Sequence, residues 1–359
     1  SQVDITDETV IIDATGQVVT PGLIDPHTHL IFGGSREDEF YMRAQGADYM
    51  DIMAAGGGIA SSVRATRQTP LDALVAAGRQ RLNWMLKMGV TTVECKSGYG
   101  LDLETELKQL EAVRILQDEQ PVELVSTFLG AHAWPEEFQE DQEGYVNYLI
   151  EVVLPLVRER DLAEYVDVFT EKGVFSVEQS RRIFQAAKDL GFKLRVHADE
   201  MNTLGGAELA AELGTSSADH LLMISDQGID DLGKSDVIPV LLPGTAFALR
   251  KPYAPARKML DKGLPIALAT DFNPGSCPTA NLGLVMSIAC LYMAMTPEEV
   301  FHAVTINAAY SLGRNDRIGS IEVGKQADFA IFDVDNYKKI PYFFGVNLVT
   351  TVIKRGQVI

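Results

Sequence analysis

The chain is 359 residues long, and its 31 Lys and Arg against 50 Asp and Glu give a formal net charge of −19. An apolar share of 46% with 23% charged residues excludes a disordered chain. The acidic excess argues against nucleic acid or an anionic membrane as a partner, because either would be repelled.

Residues 3–19 lack helical period and read as one or two strands. Eight β-branched or apolar runs follow, at 18–30, 91–95, 122–129, 166–169, 193–196, 217–222, 237–242 and 265–270. Helix-length segments separate them, expected at 71–88, 103–117, 143–160, 177–190, 207–213, 254–262, 280–293 and 297–312. In the first, Leu71, Leu74, Val75, Gly78, Leu82 and Met85 fall on one face, between Pro70 near its start and Gly89 past its end. The runs are near-continuously apolar, as suits parallel strands buried on both faces. Eight such βα units predict an α/β chain built as a (β/α)8 TIM barrel; a doubly wound sheet would not usually need eight parallel strands. After Leu312 the helical period ends, and 319–333 and 348–359 read as strands with turns. The expected division is therefore a barrel over 20–313 and a small β layer, sandwich-like, from 1–19 with 314–359.

Three cysteines, Cys95, Cys277 and Cys290, provide neither a disulfide framework nor a C-x-x-C pair, which suits a reducing compartment. With no run of 18 apolar residues, the expectation is a cytoplasmic protein that engages no membrane.

Histidine is scarce, at six residues, and its placement is informative. Asp25-Pro26-His27-Thr28-His29 closes the first run, and residues i and i+2 of an extended chain face the same way. His27 and His29 thus offer two imidazoles side by side. His197 ends the fifth run, His220 lies in the sixth, Asp271 follows the eighth and His132 lies just past the third. Active sites of this fold are built at the C-terminal ends of the strands. Only His302, inside an expected helix, lacks such company. His27, His29, His197 and Asp271 make three nitrogens and a carboxylate, a set suited to one divalent ion, zinc or iron, that activates a water. Glu200, three residues past His197, is placed to move protons, and His220 to polarise a carbonyl or steady an oxyanion.

The pattern D-P-H-T-H-L with histidines on strands five and six and T-D on strand eight resembles the amidohydrolase superfamily. Five further motifs are similar to the imidazolonepropionase family within it: Gly33-Gly34-Ser35-Arg36-Glu37, residues 96–102 (KSGYGLD), 128–133 (FLGAHA), 197–200 (HADE) and 269–276 (ATDFNPGS). The match runs from about Val19 to the C-terminus. The resemblance implies hydrolysis of the ring amide of 4-imidazolone-5-propanoate to N-formimidoyl-L-glutamate, in histidine degradation. It implies metal ligation by His27, His29, His197 and Asp271, and catalysis by Glu200, His220 and Asp271. Substrate binding would fall to Arg36, Tyr99, His132, Glu200, Asn273, Gly275 and Ser276, with Arg36 gripping the propionate through two parallel hydrogen bonds. A single metal is favoured, because Lys172 lies late for a bridging lysine on strand four. A homodimer is implied by the family alone. Family members carry further residues before the first barrel strand, so the small β layer is expected to be incomplete in this chain.

The rival readings are a related nucleobase deaminase, for cytosine or guanine, and a catalytically inactive barrel scaffold. Arg36 and Tyr99 disfavour the first and the intact ligand set the second. Gly319–Lys325 matches G-x-x-x-x-G-K, but Gln326 follows where a phosphate loop needs Ser or Thr. Gly56-Gly57-Gly58 reads as a loop over the mouth, Cys277 as a packing residue, and 136–143 as a solvated acidic stretch.

Overall fold

The computed structural model describes residues 6, 9–47, 51, 52 and 55–359. Eight parallel strands succeed one another in chain order: β2 (Leu23–Asp25), β3 (Val90–Lys96), β4 (Glu123–Ala131), β5 (Tyr165–Thr170), β6 (Lys193–Ala198), β7 (Ser217–His220), β8 (Ile238–Leu241) and β9 (Ala267–Leu268). The ring closes just beyond the first and last strands. His29 N donates to Phe272 O at 2.9 Å, Asp271 N donates to His27 O at 3.1 Å, and Thr28 bridges Phe272 in parallel. Asp25 clasps the same seam, accepting from Thr270 N at 3.0 Å and from Thr270 Oγ1 at 2.6 Å. The structure is therefore a (β/α)8 barrel, as the alternation of apolar runs and amphipathic segments predicts.

A second sheet is antiparallel, in the order β1 (Val18–Pro21), β10 (Phe329–Phe332), β11 (Val349–Lys354) and β12 (Gln357–Val358). It joins the N-terminal segment to the C-terminal one. Most of the expected strand region at 3–19 carries no strand among its described residues, and 1–5, 7 and 8 lie outside them.

Three expected elements divide, each for a physical reason. The single run at 18–30 is two strands in two sheets, parted at Gly22, whose N–H donates to Asp328 O at 2.9 Å. A Cβ at Gly22 would lie 2.3 Å from Thr91 Oγ1 and 2.9 Å from Thr91 Cβ, so only glycine lets the chain cross there. The helix expected at 297–312 breaks into Pro297–Ala303 and Ile306–Ser311 at Thr305, where φ is −129° and ψ is −97°. The break frees Val304 O to accept from Ile24 N of the barrel at 2.9 Å. The helix expected at 143–160 widens to a π-helical turn at Leu149–Val153, just before Pro155, which has no N–H and crowds the carbonyl four residues back.

The sequence reading misses helices Glu37–Ala44, Ile59–Gln68, Asp226–Leu232 and Pro243–Leu249. All are short or rich in polar and β-branched residues, so packing rather than local periodicity carries them. Among the described residues, no helix is long and apolar enough to cross a membrane.

Gly22→Ala is expected to destabilise the fold by about 1–3 kcal/mol, because the clash includes Thr91 Cβ, which no χ1 rotamer moves. A denaturant midpoint equal to that of the wild type would contradict this.

Candidate metal centre and active site

Five of the six histidines meet at the C-terminal mouth of the barrel, while His302 lies exposed on its helix. Ring centroids of His27 lie 5.3 Å from His29, 4.6 Å from His197 and 5.5 Å from His220. Period-2 alternation explains the placement. His27 and His29 leave β2 on one side, and His197 follows Arg195 on the inward side of β6. Several non-glycine residues adopt left-handed backbone here, among them His220 with φ +77° and Asp271 with φ +54°. Such conformations cost of order 1 kcal/mol or more and persist where surrounding contacts dictate them.

The donor atoms converge. Asp271 Oδ1 lies 3.5 Å from His27 Nε2 and 3.4 Å from His29 Nε2, and His29 Nε2 lies 3.5 Å from His197 Nε2. His27, His29 and Asp271 offer three ligand atoms within 4.8 Å of one another, and so do His27, His197 and His220. His27 Nε2 and Asp271 Oδ1 are buried without a hydrogen-bond partner in the chain. Buried polar atoms are normally paired, so two such atoms aimed at one point fit a metal ion. Burial holds the imidazoles neutral, with His29, His132 and His220 lowered to about 3, His197 to about 4, and His27 well below its ordinary value. A neutral ring keeps a lone pair for a metal.

Behind the donors stands an outer layer of carboxylates. His27 Nδ1 donates to Asp219 Oδ2 at 2.6 Å, which fixes the tautomer that leaves Nε2 unprotonated. His197 Nδ1 lies 3.0 Å from Asp167 Oδ2, and His197 N donates to Asp167 Oδ1 at 3.2 Å. Thr245, on helix Pro243–Leu249, donates its hydroxyl to Asp271 Oδ2 and so turns Oδ1 toward the histidines. Sequence reasoning missed Asp167, Asp219 and Thr245. The first two lie inside runs read only as buried strands, where an acidic residue at an inward position was the available signal.

Around this centre sit the remaining expected residues. Tyr99 is buried, its ring 5.8 Å from that of His29 and 5.4 Å from that of His132. His132 stacks on His29 at 4.9 Å and donates from Nδ1 to Gly98 O at 2.9 Å. Glu106 shapes the loop bearing Tyr99 by accepting from the N–H groups of Gly98, Gly100 and Leu101. Glu200 Oε2 lies 3.7 Å from His220 Nδ1. Burial, with Asp271 and Glu171 near, pushes the Glu200 carboxyl up to about 8.

Arg36 is held in a bidentate pair, Nε to Glu39 Oε1 at 2.9 Å and Nη2 to Oε2 at 2.6 Å. Its Nη1 lies against the bare backbone of Gly275, where a Cβ would come within 2.0 Å. Asn273 is engaged inside its own turn. Its Oδ1 accepts from Gly275 N at 2.9 Å and Ser276 N at 2.7 Å, and its Nδ2 donates to Asp271 O at 2.7 Å. Asn273 thus shapes the loop that carries Gly275 and Ser276. Lys172 is exposed beyond β5 and stands apart from the cluster.

The amidohydrolase family model matches residues 18–359. The imidazolonepropionase of Alkaliphilus oremlandii (strain OhILAs) is 57% identical over 354 residues, covering 98% of this chain and 84% of that protein. The imidazolonepropionase of Geobacillus thermodenitrificans (strain NG80-2) is 54% identical over 352 residues, 98% of this chain and 83% of that one. Among solved structures, 5-methylcytosine deaminase from Klebsiella pneumoniae liganded with 5-fluorocytosine has a TM-score of 0.77 at 17% identity, over 100% of this chain and 90% of that one. Zinc-complexed atrazine chlorohydrolase from Arthrobacter aurescens TC1 has a TM-score of 0.73 at 18% identity, over 99% and 86%. At such identities the structural likeness speaks for the fold alone.

Thr245→Val is expected to weaken divalent-metal binding about tenfold, and Thr245→Ser to restore it, as read by competition with a chelator. Equal affinities in all three proteins would remove Thr245 from the centre. With this geometry and these relatives, the chain belongs to the amidohydrolase family, among its imidazolonepropionases.

Proposed function

We propose that the chain hydrolyses the ring amide of 4-imidazolone-5-propanoate to N-formimidoyl-L-glutamate, with one divalent ion at the barrel mouth. The observation that carries this reading is identity of 53–57% to imidazolonepropionases across nearly the whole chain, combined with the convergent His and Asp donors. His27, His29, His197 and Asp271 would hold the ion. When bound, a divalent ion supplies Lewis acidity that polarises a carbonyl and lowers the pKa of a water.

The chain's own groups supply the rest. The guanidinium of Arg36 receives the propionate, offering the Nη1 edge that its pair with Glu39 leaves over. Tyr99 and His132 wall the pocket beside His29, and Gly275 and Ser276, on the turn Asn273 shapes, close its far side. Neutral His220 has one N–H to give and steadies the oxyanion developing on the ring carbonyl. Glu200, raised to about 8, carries a proton at neutral pH and delivers it to the departing ring nitrogen. Asp271 accepts the proton released by the attacking water.

Zinc or iron as the ion, the cytoplasm as the location and a homodimer as the assembly belong to the same proposal. Zinc or iron suits the donors, three imidazole nitrogens and one carboxylate. A nucleobase deaminase shares the fold but explains Arg36 less well, since a neutral base has no carboxylate to grip.

Hydrolysis of imidazolone propionate by the purified chain, lost with a chelator and regained with a divalent ion, is the expected result. His197→Ala should reduce both metal content and kcat/KM by more than about 100-fold. Arg36→Ala should raise KM by roughly 30-fold, the worth of a charged hydrogen bond, with metal content unchanged. A chain inactive on this substrate with its metal loaded would overturn the function.

A further inference from the structure

Below the histidines, the barrel interior holds charge where branched aliphatic side chains usually fill this fold. Lys96, on β3, is fully buried. Its Nζ lies 2.8 Å from Asp167 Oδ2 on β5, 2.9 Å from Glu94 Oε1 on its own strand, and 3.8 Å from Asp219 Oδ2 on β7. β3 and β7 are not neighbours, so the amino group spans the lumen. Arg195, equally buried, lies 3.3 Å from Asp219 Oδ2 and 3.8 Å from Glu94 Oε1, and donates to Pro26 O at 2.8 Å. Two cations thus face three carboxylates, leaving one negative charge in excess beneath the donors.

Replacing such a cluster by packed apolar residues is often neutral or stabilising, so stability alone is a weak reason for it. Its position suggests another. Asp167 and Asp219 are the carboxylates that face the rear nitrogens of His197 and His27. Of the two cations, only Lys96 lies within 4 Å of both. Its ion pairs run to carboxylates, so its hold on the geometry of the centre passes through Asp167 and Asp219.

We propose that Lys96 is a positioning residue: by clamping Asp167 and Asp219 across the lumen, it aims the metal-facing nitrogens of His197 and His27 at one point. The inference rests on the metal reading above. It differs in sign from simple charge balance. Were Lys96 only a counter-charge, its removal would make the centre more negative and tighten a divalent cation. Loss of positioning weakens binding instead.

The test titrates the metal-stripped full chain with Zn2+ against a chromophoric chelator, and records the visible absorption of bound Co2+, which reports ligand geometry. Lys96→Met removes the clamp. Lys96→Met with Glu94→Gln removes it while keeping the net charge of the cluster, so its fold is the safer of the two. Both are expected to bind Zn2+ at least about tenfold more weakly, with an altered Co2+ spectrum. Wild-type affinity and spectrum in the double variant, or tighter binding in Lys96→Met, would overturn the proposal. Failure of both variants to fold, seen by circular dichroism, would assign Lys96 to the fold alone and overturn it equally. A wild-type chain that takes up neither ion would defeat the metal reading itself, whereas metal-binding wild type with indifferent variants defeats only the role of Lys96.

Discussion

Five ionisable side chains, Glu94, Lys96, Asp167, Arg195 and Asp219, are fully buried inside this barrel. Each ion would cost several kcal/mol to desolvate alone, and only mutual pairing makes the arrangement tolerable. That constraint propagates upward. Burial alone would lower the Lys96 amino group, but Asp167 and Glu94 outweigh it and hold its pKa above the usual value. Asp167, against the opposing cost of burial, is held well below the carboxylate range by His197 and Lys96. A charged floor therefore underlies the neutral imidazoles above it, and the lone pairs of the mouth depend on the carboxylates below.

The loops at the mouth obey a related rule. Buried backbone N–H groups need acceptors, and one carboxylate or amide serves several at once. Glu106 gathers the loop of Tyr99, Asn273 gathers the loop of Gly275 and Ser276, and Asp199 accepts from the N–H groups of Leu204, Gly205, Gly206 and Ala207. Irregular segments that carry the candidate pocket are thus tied to rigid elements. The left-handed backbone at His220 and Asp271 is tolerated in the same setting, since both residues sit where strand ladders and outer hydrogen bonds converge.

Much of this was legible from spacing. His27 and His29 are two apart on an extended run, and period-2 geometry alone brings their rings together. Their meeting with His197 and Asp271 needed only the expectation that eight parallel strands close into a ring. Asp167 and Asp219 were not legible as partners, because a carboxylate within an apolar run carries no mark of which imidazole it faces. Lys96 stood inside a recognised motif, but a lysine at a strand end reads as solvated until the opposite wall of the barrel is known. Arg36 was legible only through the family resemblance, whereas its pair with Glu39 arises from a short helix whose periodicity is too weak to read.

The sequence by itself determined the barrel, the order of its strands and the histidines at their ends, because each follows from local periodicity and chain order. Tertiary structure alone decided which atoms oppose one another. Gly22 parts two sheets because of Thr91, Thr305 breaks a helix so that Val304 O reaches Ile24, and Asp25 clasps Thr270 across 245 residues of chain. Contacts between distant segments depend on ring closure and burial, and desolvated charge then dictates the pairing that no local pattern encodes.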